Sequence, residues 1–161
     1  MIQRDAAGTA TTTTMGSGGR AARYRAWLFL LPDVDATDEF AGLQLSPRGG
    51  IAMVEEHQSV RQAIFLLIST IPGERVMRPD YGCLIHRLMF APNDDTTAGL
   101  AILYVRRAIE QWEPRVELLR VDAGRNPEVP EMLNVVLEYR VRATQRTEAT
   151  AFAFDLSGGQ A

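Results

Sequence analysis

The stretch "QWEPRVEL", Gln111 to Leu118, is where the chain changes its hydrophobic period, and its reading decides the fold. Upstream, from Thr96 to Trp112, Ala98, Ala101, Ile102, Val105, Ile109 and Trp112 recur at helical spacing and leave Arg106, Arg107 and Glu110 outward. Pro114 ends that helix, because it disfavours helical geometry at the residue before it and has no N–H to donate. Downstream, in "MLNVVLEYRVRAT" (132–144), Leu133, Val135, Leu137, Tyr139 and Val141 alternate with Asn134, Val136, Glu138, Arg140 and Arg142, which predicts a strand with one buried face. Residues 115–122 are predicted to pair with it across a turn holding Asn126-Pro127 and Pro130. A last run, "TAFAFDL" (150–156), alternates Phe152, Phe154 and Leu156 with Ala153 and Asp155. Helix followed by an antiparallel meander is the expected order of the C-terminal half.

Working back toward the N-terminus, "EEHQSVRQAIFLLISTIPGE" (55–74) places Val60, Ala63, Ile64, Leu67, Ile68 and Ile71 on one helical face. Glu55 and Glu56 suit the helix start, Pro72-Gly73 its end, and Phe65 and Leu66 widen the apolar stripe. A short helix is expected around Leu84 to Met89, and "APNDDTTAG" (91–99) offers N-cap residues for the next helix. Earlier still, Tyr24 to Leu31 reads as a strand, "PDVDATDEF" (32–40) as an acidic loop, and "LQLSPRGGIAMV" (43–54) as two short strands joined at Arg48-Gly49-Gly50. Residues 1–20 are dominated by Ala, Thr and Gly with almost no large apolar side chain, a composition that predicts a disordered arm. The expected fold class is α+β: two main helices packed on a C-terminal three-stranded antiparallel meander. The expected divisions are the arm at 1–20, a strand and hairpin extension at 21–50, and the main domain at 51–157.

At 161 residues the chain is long enough for one core. A net charge of −3 and a pI near 5.4 give no basic face for phosphate, which argues against nucleic acid. All 17 basic residues are arginine, the residue better suited to bidentate pairing in interfaces; codon bias in a GC-rich genome is the plainer explanation. One cysteine excludes an internal disulfide framework, no secretory leader is recognised, and "AWLFLLP" (26–32) is too short to cross a bilayer, so folding in the cytoplasm is expected. Two histidines and Cys83 do not make a zinc site, and Cys83 and His86 read as structural residues; no cofactor or metal is expected. A hydrolase would need two of Glu74, Asp80, Glu110 and Glu113 about 5–9 Å apart across a cleft, and the few aromatic residues fall mostly at core-facing positions.

The order of "IPGERVMRPDYGCLIHRLMF" (71–90), an amphipathic helix, "WEPRVEL" (112–118) and a strand ending in "FAFDL" resembles the gene-25-like baseplate wedge family of contractile phage tails, contractile injection particles and type VI secretion systems. The likeness runs from about Gly50 to Leu156. Pro72-Gly73-Glu74-Arg75, Arg78-Pro79-Asp80-Tyr81-Gly82 and Glu113-Pro114-Arg115 are intact, whereas the segment before Gly50 is less typical of the family. Some family members have carried the label lysozyme. The resemblance implies instead a structural subunit of the inner baseplate that starts the sheath. Its implied partners are other wedge proteins, sheath subunits and the central hub or tube, with six copies around the tube. Such a particle is assembled in the bacterial cytoplasm and either stays there or is released.

Three surfaces are expected to serve those partners. Glu113, Pro114 and Arg115 form a rigid corner whose charges a partner can pair, although the residues alone equally allow a helix stop with charges solvated or paired within the chain. Arg75, Arg78 and Asp80 belong to a loop that mainly maintains the fold and offers further contacts. Thr150, Ala151, Phe152, Ala153, Phe154, Asp155 and Leu156 form the last strand, where a sheath subunit, by the family's habit of exchanging strands, would add its own. The rival readings are a peptidoglycan hydrolase using a carboxylate pair and a small adaptor binding an unrelated partner by its strand edge.

Overall fold

The computed structural model describes residues 23–30 and 42–158. The arm expected at 1–20 and the acidic loop at 32–40 lie outside the described residues. The first half of the described chain holds β1 (Arg25–Trp27), β2 (Phe29–Leu30), β3 (Gly42–Leu43), β4 (Met53–Glu55) and α1 (Glu56–Ser69). A 3-10 helix, Leu84–Leu88, leads to α2 (Asp95–Trp112), and β5 (Val116–Arg125), β6 (Met132–Val141) and β7 (Arg146–Asp155) complete it. The fold is α+β, as the change of period at the corner predicts.

β5, β6 and β7 form one antiparallel sheet in that order, with Val116 opposite Val141 and Val141 opposite Arg146 at one end. The alternation along β6 sets its inner face: Leu133, Val135, Leu137, Tyr139 and Val141 are fully buried. They pack in one core with Val60, Ile64 and Leu67 of α1 and Ala101, Val105 and Ile109 of α2. Each large apolar side chain removed from water there contributes about 1.5–3 kcal/mol. The sheet runs three residues further along β5 than expected, to Arg125, because Asn126 closes the turn: its Oδ1 accepts from the N–H groups of Glu128 and Val129 at 2.8 and 3.1 Å. A bulge between Leu118 and Arg120 turns Leu119 to the surface.

α1 stops at Ser69, so Ile71 is not on its apolar face and is exposed. Pro72 accounts for the early end, since it pushes the residue before it out of helical geometry. The loop that follows folds back on the helix end: Cys83 N–H donates to the Thr70 carbonyl at 3.0 Å, and Gly82, at φ +132°, lies so close to Thr70 that a Cβ would overlap that carbonyl oxygen. Glycine is required here by both backbone angle and space.

The N-terminal strands form the expected small hairpin region and pair further than the hairpin alone. Residues 43–54 meet each other at the Leu45 and Ile51 bridge, but their ladder pairing is with residues 25–30: Trp27 opposes Met53, and Phe29 opposes Leu43. Gln62 of α1 holds this layer in place, donating to the Trp27 carbonyl and accepting from Phe29 N–H, both at 2.9 Å. Trp27 and Phe90 are exposed, exceptions among aromatic residues expected to fall mostly at core-facing positions. No helix among the described residues is long and apolar enough to cross a membrane.

Candidate assembly site

α2 ends where Glu113 leaves helical geometry while its N–H still donates to Ile109, and the next residue, Pro114, is exposed. Of the readings the residues allowed for the corner, charges offered to a partner, solvated or paired within the chain, the structure has the two charges meeting each other. Glu113 is buried, and Arg115 closes on it as a fork, Nε to Oε1 at 2.6 Å and Nη2 to Oε2 at 2.5 Å. The proline turn supplies the reason: it reverses the chain so that positions 113 and 115 point to one side, where the planar guanidinium matches the carboxylate. Arg115 also approaches Ser59 Oγ of α1 at 3.5 Å and stands 5.5 Å from the ring centroid of Tyr24. The hydrogen bond to Glu113 pushes the Arg115 pKa up, against the effect of burial.

The loop at 71–82 reaches the same end of the molecule. Arg75 stacks over Tyr81 at 4.5 Å, and Tyr81 meets Trp112, the last residue of α2, edge-on at 5.4 Å. Burial raises the Tyr81 pKa, opposed by the nearby Arg75. The two motifs, separate in sequence, are thus joined through an aromatic contact. Arg78 and Asp80 are exposed, and Asp80 lines a groove of about 300 Å³ with Pro72, Leu84, Tyr104, Arg107 and Trp112. At the loop tip Val76 and Met77 are almost fully exposed, a feature the sequence reading missed; an apolar pair between two arginines in a glycine-bounded loop was its signal.

β7 occupies a sheet edge and begins at Arg146, four residues before the run singled out in the sequence. Thr150 and Leu156 are buried, Phe152 and Phe154 are half-buried against the core, and Ala151 and Ala153 are exposed. Asp155 turns back to accept from Ser157 N–H at 2.7 Å, and that contact lowers its pKa. The Leu156 N–H donates to Glu131 at 3.0 Å, toward β6. Backbone amides alternate along an antiparallel pair, so those of Phe154, Phe152 and Thr150 also point to β6, and those of Ala149, Ala151 and Ala153 point to the open edge. Phe90 clamps the strand's exit: it sits at φ +66°, its N–H donates to the Leu156 carbonyl at 2.7 Å, and its ring covers Gly158. A bulky residue at positive φ costs about 1–3 kcal/mol, which the packing must offset.

The corner adjoins Val116 and Val141, whereas the outward amides of Ala149 and Ala153 lie opposite Glu138 and Asn134, roughly 10 and 23 Å along β6 from Val141 at strand rise. The four carboxylates considered for hydrolysis stand in different settings. Glu113 is held by Arg115, Glu74 accepts from Ile71 N–H at 3.0 Å, and Glu110 and Asp80 are exposed. Cys83 is buried, with its thiol pKa pushed up by that burial, and His86 Nδ1 lies 3.0 Å from the Cys83 carbonyl oxygen. Among the described residues no three His, Cys, Asp or Glu side chains group as a metal site would need.

Residues 54–146 match the model of the family described as baseplate wedge protein gp25. A protein from Geobacter sulfurreducens, described provisionally as a tail lysozyme, is similar at 38% identity with a TM-score of 0.61, over 68% of this chain and 100% of that one. A chain of the anti-feeding prophage baseplate is similar at 20% identity and TM-score 0.54, over 83% of this chain and 87% of that one. A chain of the type VI secretion baseplate complex is similar at 15% identity and TM-score 0.50, over 62% and 93%. The last two likenesses concern the fold alone. No curated protein matches the chain. With the family model spanning more than half the sequence, and both motif loops and the corner inside it, the chain belongs to the gp25 baseplate wedge family.

Proposed function

We propose that the chain is a non-enzymatic subunit of the inner baseplate wedge of a contractile injection particle, and that the β7 edge templates the first sheath ring by taking up a strand of a sheath subunit. The observation that carries this reading is the edge itself: alternate amides at Ala149, Ala151 and Ala153 face outward beside small side chains, while Thr150, Phe152, Phe154 and Leu156 anchor the strand from within. Register is fixed by the same alternation, since a slip of one residue would exchange the faces. The corner serves wedge partners at the end of the sheet where Val116 meets Val141. Glu113 fixes Arg115 from inside, and Pro114 with the outer edge of the guanidinium meets the partner with little further loss of entropy. Arg75, Arg78 and Asp80 extend that contact. The particle is built in the bacterial cytoplasm, with six copies of the chain around its tube.

The description of the Geobacter relative favours a second reading, peptidoglycan hydrolysis. Glu113 is ill-placed for it, ion-paired and buried. Zymography with the purified protein is expected to show no clearing between mildly acidic and neutral pH, and Glu74→Gln is expected to leave the gel unchanged. Clearing that vanishes in Glu74→Gln would overturn the non-enzymatic reading.

A further inference from the structure

Five large apolar side chains lie together and exposed on the N-terminal strands: Trp27 at 61%, Leu43 at 47%, Leu45 at 77%, Ile51 at 38% and Met53 at 40%. Pairing explains how they share a face. Trp27 is opposite Met53, Leu45 is opposite Ile51, and Leu43 and Met53 each lie two residues along from one of that second pair. Val54, pointing the other way, is buried. The layer is fixed to α1 by Gln62 and by Glu56, whose Oε1 accepts from Arg23 N–H at 2.7 Å. An apolar face of this kind on a braced element marks a contact surface. All of it precedes Val54, the first residue matched by the family model.

The charges around the face point to its occupant. Arg25 and Glu55 neutralise each other at 3.1 Å, while Arg48, exposed at the hairpin tip, makes no ion pair among the described residues. We infer that this face docks another protein of the particle, one presenting an apolar surface with a carboxylate placed to meet Arg48. The inference rests on the reading of the chain as a particle subunit. A second copy is the poorer occupant, because its own matching face has no free acid among the described residues: Glu55 is already taken by Arg25. A lipid surface is poorer too, since one unpaired cation among the described residues of the face draws anionic headgroups only slightly.

The sequence supplies an unusual probe: it contains no lysine, so Arg48→Lys introduces the sole side-chain amine. Particles carrying Arg48→Lys are treated with a carbodiimide, which joins an amine to an adjacent carboxylate, and are digested for mass spectrometry. The expected product joins Lys at 48 to an Asp or Glu of a different subunit. Trp27 and Met53 should be oxidised several-fold more slowly in the particle than in the free chain under hydroxyl-radical footprinting. Leu45→Asp, at an exposed site, should lower incorporation roughly tenfold with an unchanged melting temperature. A cross-link from position 48 to another copy of this chain, equal oxidation in particle and free chain, or flotation of the free chain with phosphatidylcholine and phosphatidylglycerol vesicles would each overturn the inference. Mass spectrometry of the same particles separates the two levels: a chain present with its face unprotected refutes the docking alone, and a chain absent from the particles refutes both.

Discussion

Glu113 and Arg115 show how much a residue's role depends on its surroundings. A carboxylate removed from water is tolerable only while its partner stays, so the two halves of this pair are unequal. Arg115→Ala leaves the Glu113 carboxylate buried without a counter-charge and is expected to cost about 3 kcal/mol, whereas Glu113→Ala leaves an arginine that can still reach solvent and should cost less, about 1–2 kcal/mol. Urea unfolding with an unchanged slope checks both values; equal and negligible losses would mean that the pair is not formed in solution. The sequence made the corner legible, because proline and the change of period mark it. It could not say where the charges point. That depends on Ser59 and Tyr24, brought alongside from far up the chain, and no local pattern records their approach.

Elements were legible where one face is buried and the run is long. β6 alternates cleanly over its whole length and α2 carries its apolar stripe from Ala98 to Ile109, so burial and pattern agree. The N-terminal strands are two or three residues long, too short for a period, and their pairing is set by α1. The helix starts carry another readable signal. Asp94 caps α2 by accepting from Thr97 N–H at 2.8 Å, and that bond holds its carboxyl below the usual carboxylate range. A depressed folded pKa contributes stability above the unfolded pKa, near 3.9, and loses it as pH falls through the lower folded value. Asp94→Ala should therefore melt below the wild type at pH 7, and the gap should narrow as pH falls from about 4 to about 2. A gap that stays constant across that range would mean that the side chain does not cap as an anion.

For the whole molecule, the sheet carries two surfaces, the proline corner with the 71–82 loop at one end and the open stretch of β7 along its edge. The proposed function assigns wedge neighbours and the sheath to different surfaces of the molecule. The family was legible in the sequence through the two motifs and their order; the apolar face before Val54 was not, because exposure of Trp27, Leu45 and Met53 follows from strand pairing across a segment of weak pattern. The claim on which the account turns is that the β7 edge is the sheath template. Ala153→Pro tests it most directly. The Ala153 amide faces the open edge, so proline there removes a donor that a guest strand would use and breaks no bond to β6. Negative-stain electron microscopy of particles assembled with Ala153→Pro is predicted to show baseplates and tubes without sheath, the subunit itself being folded and incorporated. Full-length sheath growing from those baseplates would contradict it.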